Sequence, residues 1–128
     1  MGKAALAGLG IGLAPTTLSF GAPSVKRNKS VGIIGLDTSH SIAFTKAFNA
    51  PDAASDLGGY KVVAAYPHGS KDITSSVERI PGYIEDIKKL GVEIVDSIAA
   101  LLDKVDVILL ETNDGRLHLE QALEVFKS

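Results

Sequence analysis

The sequence predicts an α/β protein with three layers, in which helices cover both faces of a doubly wound parallel sheet. From Val31 onward, short apolar runs rich in β-branched residues alternate with longer amphipathic segments, which is the spacing of βαβ units. These runs are apolar on both faces, as expected for strands buried between two layers of helices. Since each strand is followed by a helix, right-handed crossovers complete a doubly wound sheet.

Four strands and four helices are expected, in alternation. The predicted strands are residues 31–36, 61–66, 92–95 and 105–111. The predicted helices are residues 39–49, 73–90 with an interruption at Pro81-Gly82, 97–104 and 117–127. Ser97 is the expected N-cap of the third helix, because Ile98, Leu101 and Leu102 then follow at helical spacing. The loops after the strands all open at the carboxyl edge of the sheet, where such folds bind ligands.

Composition limits the classes of function. The 128 residues, 45% hydrophobic and 22% charged, suit one globular domain. With 13 basic and 15 acidic residues the net charge is −2, which supplies no basic field for a nucleic-acid backbone, so nucleic acid is not an expected partner. The absence of cysteine excludes disulfides, thiolate metal sites and a cysteine nucleophile.

The N-terminal residues have the order of a secretory signal. Lys3 precedes an apolar stretch from Ala4 to Ala14, and small residues follow after Pro15, ending at Ala22. We therefore expect an export signal at residues 1–22, a linker at 23–30 and the folded domain at 31–128. Export predicts a periplasmic or other extracytoplasmic location; the location is cytoplasmic if residues 1–22 are not a working signal. The apolar stretch is about half of the roughly 20 residues of a membrane helix, so no stable membrane span is expected.

The loop after the first strand occupies the position of a dinucleotide-binding glycine motif. Gly35 corresponds to the first glycine, but Asp37 and His40 replace the second and third. A carboxylate at position 37 is expected to repel a diphosphate, so the composition of this loop argues against standard dinucleotide binding. Thr38 and Ser39 are candidates for helix capping, for phosphate contact or for both.

The loop after the second strand carries the candidate determinants of cofactor choice. NAD-binding folds usually place an acidic residue there to accept the ribose hydroxyls, but none occurs before Asp72. Ser70 and Lys71 are instead positioned to meet a 2′-phosphate, so NADP is expected to bind better than NAD. The alternative interpretation is a plain solvated turn.

The loop after the fourth strand is unusually polar. Thr112, Asn113 and His118 are candidate ligand contacts, and the alternative is an Asp-Gly turn that begins a helix. The three histidines lie in separate loops without a shared acidic pattern, so neither a catalytic triad nor metal-ligand spacing is predicted, although His40 and His118 are candidates to approach each other across the crevice.

Three segments together resemble the glucose-fructose oxidoreductase/inositol dehydrogenase/MocA family. They are Val31-Gly32-Ile33-Ile34-Gly35-Leu36 at the start of a βαβ unit, residues 92–103 as a strand and short helix, and Val105-Asp106-Val107-Ile108-Leu109-Leu110 leading to His118. The resemblance covers residues 30–128 and implies the N-terminal NAD(P)-binding Rossmann domain of an oxidoreductase. It also implies a small sugar-like or cyclitol-like substrate, and a homo-oligomer is compatible with the full-length protein. The family's catalytic lysine follows a fifth strand, so the resemblance implies a domain that is truncated before that strand and inactive by itself.

Two alternatives remain open. A Rossmann-like binding or scaffold module would keep the sheet after Asp37 and His40 had ended dinucleotide binding. A receiver-like signalling domain is less consistent with the sequence, because paired acidic residues at the end of the first strand are missing.

Overall fold

The computed structural model describes residues 28–128. The export signal and most of the linker predicted above lie outside the described residues. The strands are β1 (Ser30–Ile34), β2 (Lys61–Tyr66), β3 (Glu93–Ile94) and β4 (Val107–Leu110), and the helices are α1 (Ser39–Asn49), α2 (Thr74–Lys89), α3 (Ile98–Leu102) and α4 (Gly115–Phe126). A short 3₁₀ turn, Ser55–Leu57, lies between α1 and β2.

The four strands form one parallel sheet in the order β3-β2-β1-β4. This order places β1 in the centre and moves the chain from β3 across the sheet to β4, as in a doubly wound fold. The predicted α/β architecture is therefore confirmed. The fifth strand that the family resemblance implies stays a prediction.

Each face of the sheet has its own apolar core. On one face Val31, Ile33 and Val62 pack with residues of α1 and α2, including Ile87. On the other face Ile34 and Ala64 pack with Ile98 and Leu101 of α3 and with Val125 of α4. The helices pair accordingly, α1 with α2 and α3 with α4. Burial of apolar side chains on both faces is what makes the strands apolar throughout.

An irregularity in β2 changes which face its side chains meet. Val31 pairs with Val62, but Gly32 pairs with Ala64, so Val63 is an extra residue on β2. Val63 is exposed, and Ala64 then faces the α3 side. Gly32 lies opposite Leu101 so closely that a β-carbon at position 32 would collide with this side chain. The glycine lets α3 approach β1.

The predicted elements differ from the observed ones at Pro81 and at several boundaries. The prediction of an interruption at Pro81-Gly82 was wrong, because α2 continues through Pro81. Pro81 is exposed, so water can bind the carbonyl group that loses its helical partner, while buried Ile87 and half-buried Ile84 hold the second half of the helix in place. The strands β1, β3 and β4 are shorter than predicted, and α4 begins two residues earlier.

Candidate functional site

Three loops converge at the carboxyl edge of the sheet, after β1, β2 and β4. Backbone hydrogen bonds join them directly: Gly35 N donates to Tyr66 O over 2.9 Å, and Glu111 N donates to Ile34 O over 2.8 Å. The edge is the position where doubly wound sheets bind ligands. The sequence-predicted site residues lie in or beside these loops.

Asp37 connects the three loops from inside. Its side chain is completely buried, and its Oδ1 accepts a hydrogen bond from Asn113 N over 3.0 Å. Its Oδ2 accepts a longer bond, 3.4 Å, from Ser70 N. A buried carboxylate needs such donors because it has lost the hydrogen bonds of water. The position differs from the sequence-based expectation, in which Asp37 faced a bound diphosphate, because the carboxylate points at protein amides and is closed off from solvent.

Two glycines allow this close approach of the loops. Gly35 has a φ of 91° and lies against Thr112, where a β-carbon would collide with the backbone and hydroxyl of that threonine. A β-carbon at Gly69 would collide with the carboxylate of Asp37. Gly35 therefore serves loop packing as well as a left-handed backbone conformation. Nothing in the sequence marks Gly69 as a site residue, since a glycine in a loop is by itself a common feature.

The first turn of α1 presents its exposed end to the same edge. Thr38 caps the helix, with Oγ1 accepting from His40 N over 3.2 Å, which confirms the capping prediction for this residue. Ser41 is buried, and its hydroxyl donates to Thr38 O over 2.7 Å. Ser39 and His40 are exposed, and the first turn contains no acidic side chain. The positive end of the helix dipole therefore faces solvent without a neutralising carboxylate from its own first turn.

Glu111 lies between the two histidines of the edge and was not identified from the sequence as a site residue. Its side chain is 16% exposed, and Oε2 is 3.8 Å from His40 Nδ1. Burial raises the pKa of Glu111, whereas the positive charges of His40 and His118 act to lower it. The available signal was an acidic residue at the end of an otherwise apolar strand.

His118 and Thr112 are tied to each other. His118 Nε2 lies within hydrogen-bond distance of Thr112 O, so this nitrogen carries the proton and donates. Thr112 is buried, and its hydroxyl oxygen has no hydrogen-bond partner in residues 28–128. Asn113 is exposed but contributes its backbone amide to Asp37. His118 therefore helps to fix the fourth loop, and both histidines act electrostatically on Glu111.

A pocket of about 530 Å³ opens beside these loops, between the residues that follow β2 and one face of α4. Its lining comes from three regions: the end of β2 with the following loop, the start of α3, and the first three turns of α4, namely Tyr66, His68, Gly69, Ser70, Lys71, Asp72, Ile98, Asp114, Arg116, Leu117, Glu120, Gln121 and Glu124. The volume is within the range of small-molecule sites. We call this cavity the β2–α4 pocket.

Ser70 and Lys71 border the pocket in different ways. Ser70 is 2% exposed, and its hydroxyl donates to Asp72 over 2.8 Å while accepting from Ile73 N over 3.2 Å. This hydroxyl is therefore already engaged in shaping the turn before α2. Lys71 is exposed and forms no ion pair within residues 28–128. Only Lys71 of these two predicted contacts is free to meet a phosphate.

Arg116 forms ion pairs with carboxylates of the two loops that follow β2 and β4. Its Nη2 lies 2.7 Å from Asp72 Oδ1 and 2.7 Å from Asp114 Oδ2. The guanidinium holds the pKa of both carboxyls below the usual range, and they raise the pKa of Arg116 in turn. Asp114 also caps α4, since Oδ1 accepts from Arg116 N over 3.0 Å. The sequence predicts an Asp-Gly turn and a helix start here as the alternative to a ligand-facing loop, but it does not indicate the ion pair with Asp72, which is 44 positions from Arg116.

The β2–α4 pocket carries more acidic than basic side chains. Its four carboxylates are Asp72, Asp114, Glu120 and Glu124, and its two cations are Lys71 and Arg116. Since Arg116 is neutralised by two carboxylates, the pocket is net negative. This charge disfavours a 2′-phosphate, and the sequence-based expectation that NADP binds better than NAD stays a prediction.

No group of three or more histidine and carboxylate side chains within residues 28–128 is placed to hold a metal ion. None of the helices in this range is both long and apolar enough to cross a membrane.

Comparison with known proteins gives no relative. No protein-family model matches the chain, and no curated protein or solved structure matches it significantly. The resemblance to the glucose-fructose oxidoreductase/inositol dehydrogenase/MocA family therefore stays a prediction from sequence motifs.

Proposed function

We propose that residues 30–128 form the nucleotide-binding domain of an NAD(P)-dependent oxidoreductase. The observation that carries the proposal is the β2–α4 pocket, which lies at the carboxyl edge of a doubly wound sheet, beside the loop that follows the second strand. Folds of this class bind the adenosine part of a dinucleotide near that loop. The cofactor supplies the hydride chemistry, and the domain supplies its binding and orientation.

The diphosphate of the cofactor would lie beside the first turn of α1. Ser39 and His40 are exposed there, and the N-terminus of α1, whose first turn contains no acidic side chain, attracts an anion. Asp37 is buried away from this surface, and the hydrogen bonds that its carboxylate accepts from Ser70 N and Asn113 N offset part of its repulsion. Asp37 instead fixes the relative positions of the three loops that border the proposed ligand site.

The charge of the pocket favours NAD over NADP. Ribose hydroxyls are donors that suit a net negative lining, whereas a 2′-phosphate would rely on Lys71 against four carboxylates. The substrate class, a sugar-like or cyclitol-like molecule, rests on the family resemblance alone. In the same resemblance the catalytic group comes from outside the described residues.

A scaffold module without dinucleotide binding is the second candidate, and Asp37 is the observation that favours it. The amides of Ser70 and Asn113 donate to this internal carboxylate and so are occupied before any ligand arrives. The Asp37 carboxylate then accepts the hydrogen bonds that these amides would otherwise donate to a ligand.

Titration of the purified chain with NADH and NADPH, followed by nicotinamide fluorescence, separates the two candidates. Saturable binding, with NADH bound more tightly, supports the oxidoreductase domain. A folded protein that binds neither nucleotide supports the scaffold and contradicts the proposal.

A further inference from the structure

Helix α4 carries an apolar stripe on a side that faces solvent. Leu119, Leu123 and Phe126 are 72%, 45% and 83% exposed, and half-buried Ala122 lies among them. Their spacing places all four on one face of the helix, which we call the α4 stripe. The face that packs on the domain is a different one and includes buried Gln121. Large apolar side chains that cluster in solvent mark a contact surface on a folded protein.

The side of the domain at which α4 lies is open. β4 is the outer strand of the sheet, and α4 packs against β4 and α3. Within residues 28–128 no strand pairs with the free edge of β4, and Val107 on that strand is 38% exposed. Unpaired strand edges and apolar stripes are both features through which proteins associate. An approaching protein therefore meets the α4 stripe without obstruction from the described residues.

Two opposite charges border the α4 stripe. Glu120 and Lys127 are seven residues apart, and each is a neighbour of Leu123 on the helix surface, at a distance of three or four residues. Both are exposed, and neither forms an ion pair within residues 28–128. The midpoint between these charges lies within one residue of the midpoint between Leu119 and Phe126. A second α4 that lies antiparallel across this point places each Glu120 opposite a Lys127, and apolar side chains against apolar side chains.

We infer that the α4 stripe is a dimer contact, in which α4 of one copy of this chain packs antiparallel on α4 of a second copy around a two-fold axis near Leu123. Such a contact uses the same surface on both copies, so it closes as a dimer and does not extend into a polymer. The charge pattern favours a second copy over an unrelated partner, because the midpoint of the charges and the midpoint of the stripe nearly coincide, as self-pairing requires. Three large side chains from each copy form a small contact, so the dimer should dissociate reversibly.

Sedimentation equilibrium of the full chain, without nucleotide, tests the inference. The average mass should rise from that of the monomer to that of the dimer and stop there, with half of the chain dimeric at roughly 100 µM. A chain that stays monomeric up to about 1 mM, or association that continues past the dimer, would overturn the inference. Because no nucleotide is present, this result does not depend on whether the chain binds NAD.

A variant without the two most exposed side chains of the stripe locates the contact. Leu119→Ser together with Phe126→Ser should weaken the dimer about a hundredfold, since two copies lose four apolar side chains from the contact. Both residues are exposed, so the monomer should keep its fold, which circular dichroism checks. Val77→Ser is the matched control, because Val77 is an exposed apolar residue of α2, on the other face of the sheet, and it should leave the association unchanged. A folded double variant that associates like the parent would contradict the inference.

An exchange of the two charges tests the antiparallel pairing. Glu120→Lys places cations opposite each other, and Lys127→Glu places carboxylates opposite each other, so each single variant should weaken the dimer by about threefold to tenfold. The two substitutions together restore opposite charges, and this protein should associate as tightly as the parent. Single variants without effect, or a loss that the exchange does not restore, would overturn the pairing of Glu120 with Lys127.

Discussion

The backbone of Gly69 lies directly against the carboxylate of Asp37, with no space for a β-carbon between them. The contact brings Ser70 N, the next amide in the chain, within reach of the same carboxylate. Asp37 also accepts from Asn113 N, so one buried side chain sets the spacing of three loops. The binding edge of the sheet therefore depends on a matched pair, a glycine and an aspartate.

Gly69→Ala should destabilise the protein by about 1–3 kcal/mol, because the added methyl group overpacks a site that is already filled. Urea denaturation measures this change in the free energy of unfolding. Gly82→Ala is the matched control, since nothing lies near that position within α2, and it should be neutral or stabilising by up to ~1 kcal/mol. In an Asp37→Ala background the cost of Gly69→Ala should shrink; additive costs would contradict the pairing.

Asp37→Gly should weaken the binding of NAD and NADP alike. The substitution leaves the amides of Ser70 and Asn113 without their acceptor, at a cost of about 1–3 kcal/mol for each unpaired group, and releases the loops that border the pocket. Calorimetric titration of the variant measures both affinities. Stronger binding of both nucleotides would show that the carboxylate repels the diphosphate, as the sequence alone suggested.

NAD should bind more tightly than NADP, by roughly threefold to tenfold, because the pocket is net negative and its exposed charges are screened by solvent. Lys71→Glu should weaken NADP further and leave NAD nearly unchanged. The measurement is a pair of calorimetric titrations at one ionic strength. Tighter binding of NADP to the parent protein would restore the preference that Ser70 and Lys71 suggested.

Glu111→Gln should stabilise the protein at neutral pH. Burial raises the pKa of Glu111 above its ordinary value of 4.5, and a carboxyl with a raised folded-state pKa contributes stability that is lost as the pH rises through that pKa. The advantage of the variant should therefore disappear below the ordinary pKa. Thermal unfolding across this pH range tests it, with Glu78→Gln as the exposed control. A variant that is less stable than the parent at neutral pH would contradict the argument.

Local sequence patterns predicted most of the fold correctly. The bounds of α1 and β2 agree with the sequence analysis, and Thr38 and Ser97 cap their helices as predicted. Pro81 was misjudged because the local rule for proline ignores the tertiary burial of Ile87, which keeps the second half of α2 in place.

The candidate site was less accessible to sequence reasoning. Asp37 after an apolar strand has the same local pattern whether it faces a ligand or a backbone amide, and its partner Asn113 is 76 positions away. The ion pairs of Arg116 and the position of Glu111 between two histidines likewise depend on contacts between loops. Such contacts arise from the order of the strands, which a local motif does not encode.

The most direct test of the central claim is the location of NAD binding on the labelled chain, followed through backbone amide resonances. Nucleotide binding at the carboxyl edge predicts saturable shifts at Ser39, Ser70 and Asn113, with no comparable shift at Lys61, which begins β2 at the opposite edge. Shifts confined to the opposite edge, or no saturable shift at millimolar NAD, would contradict it.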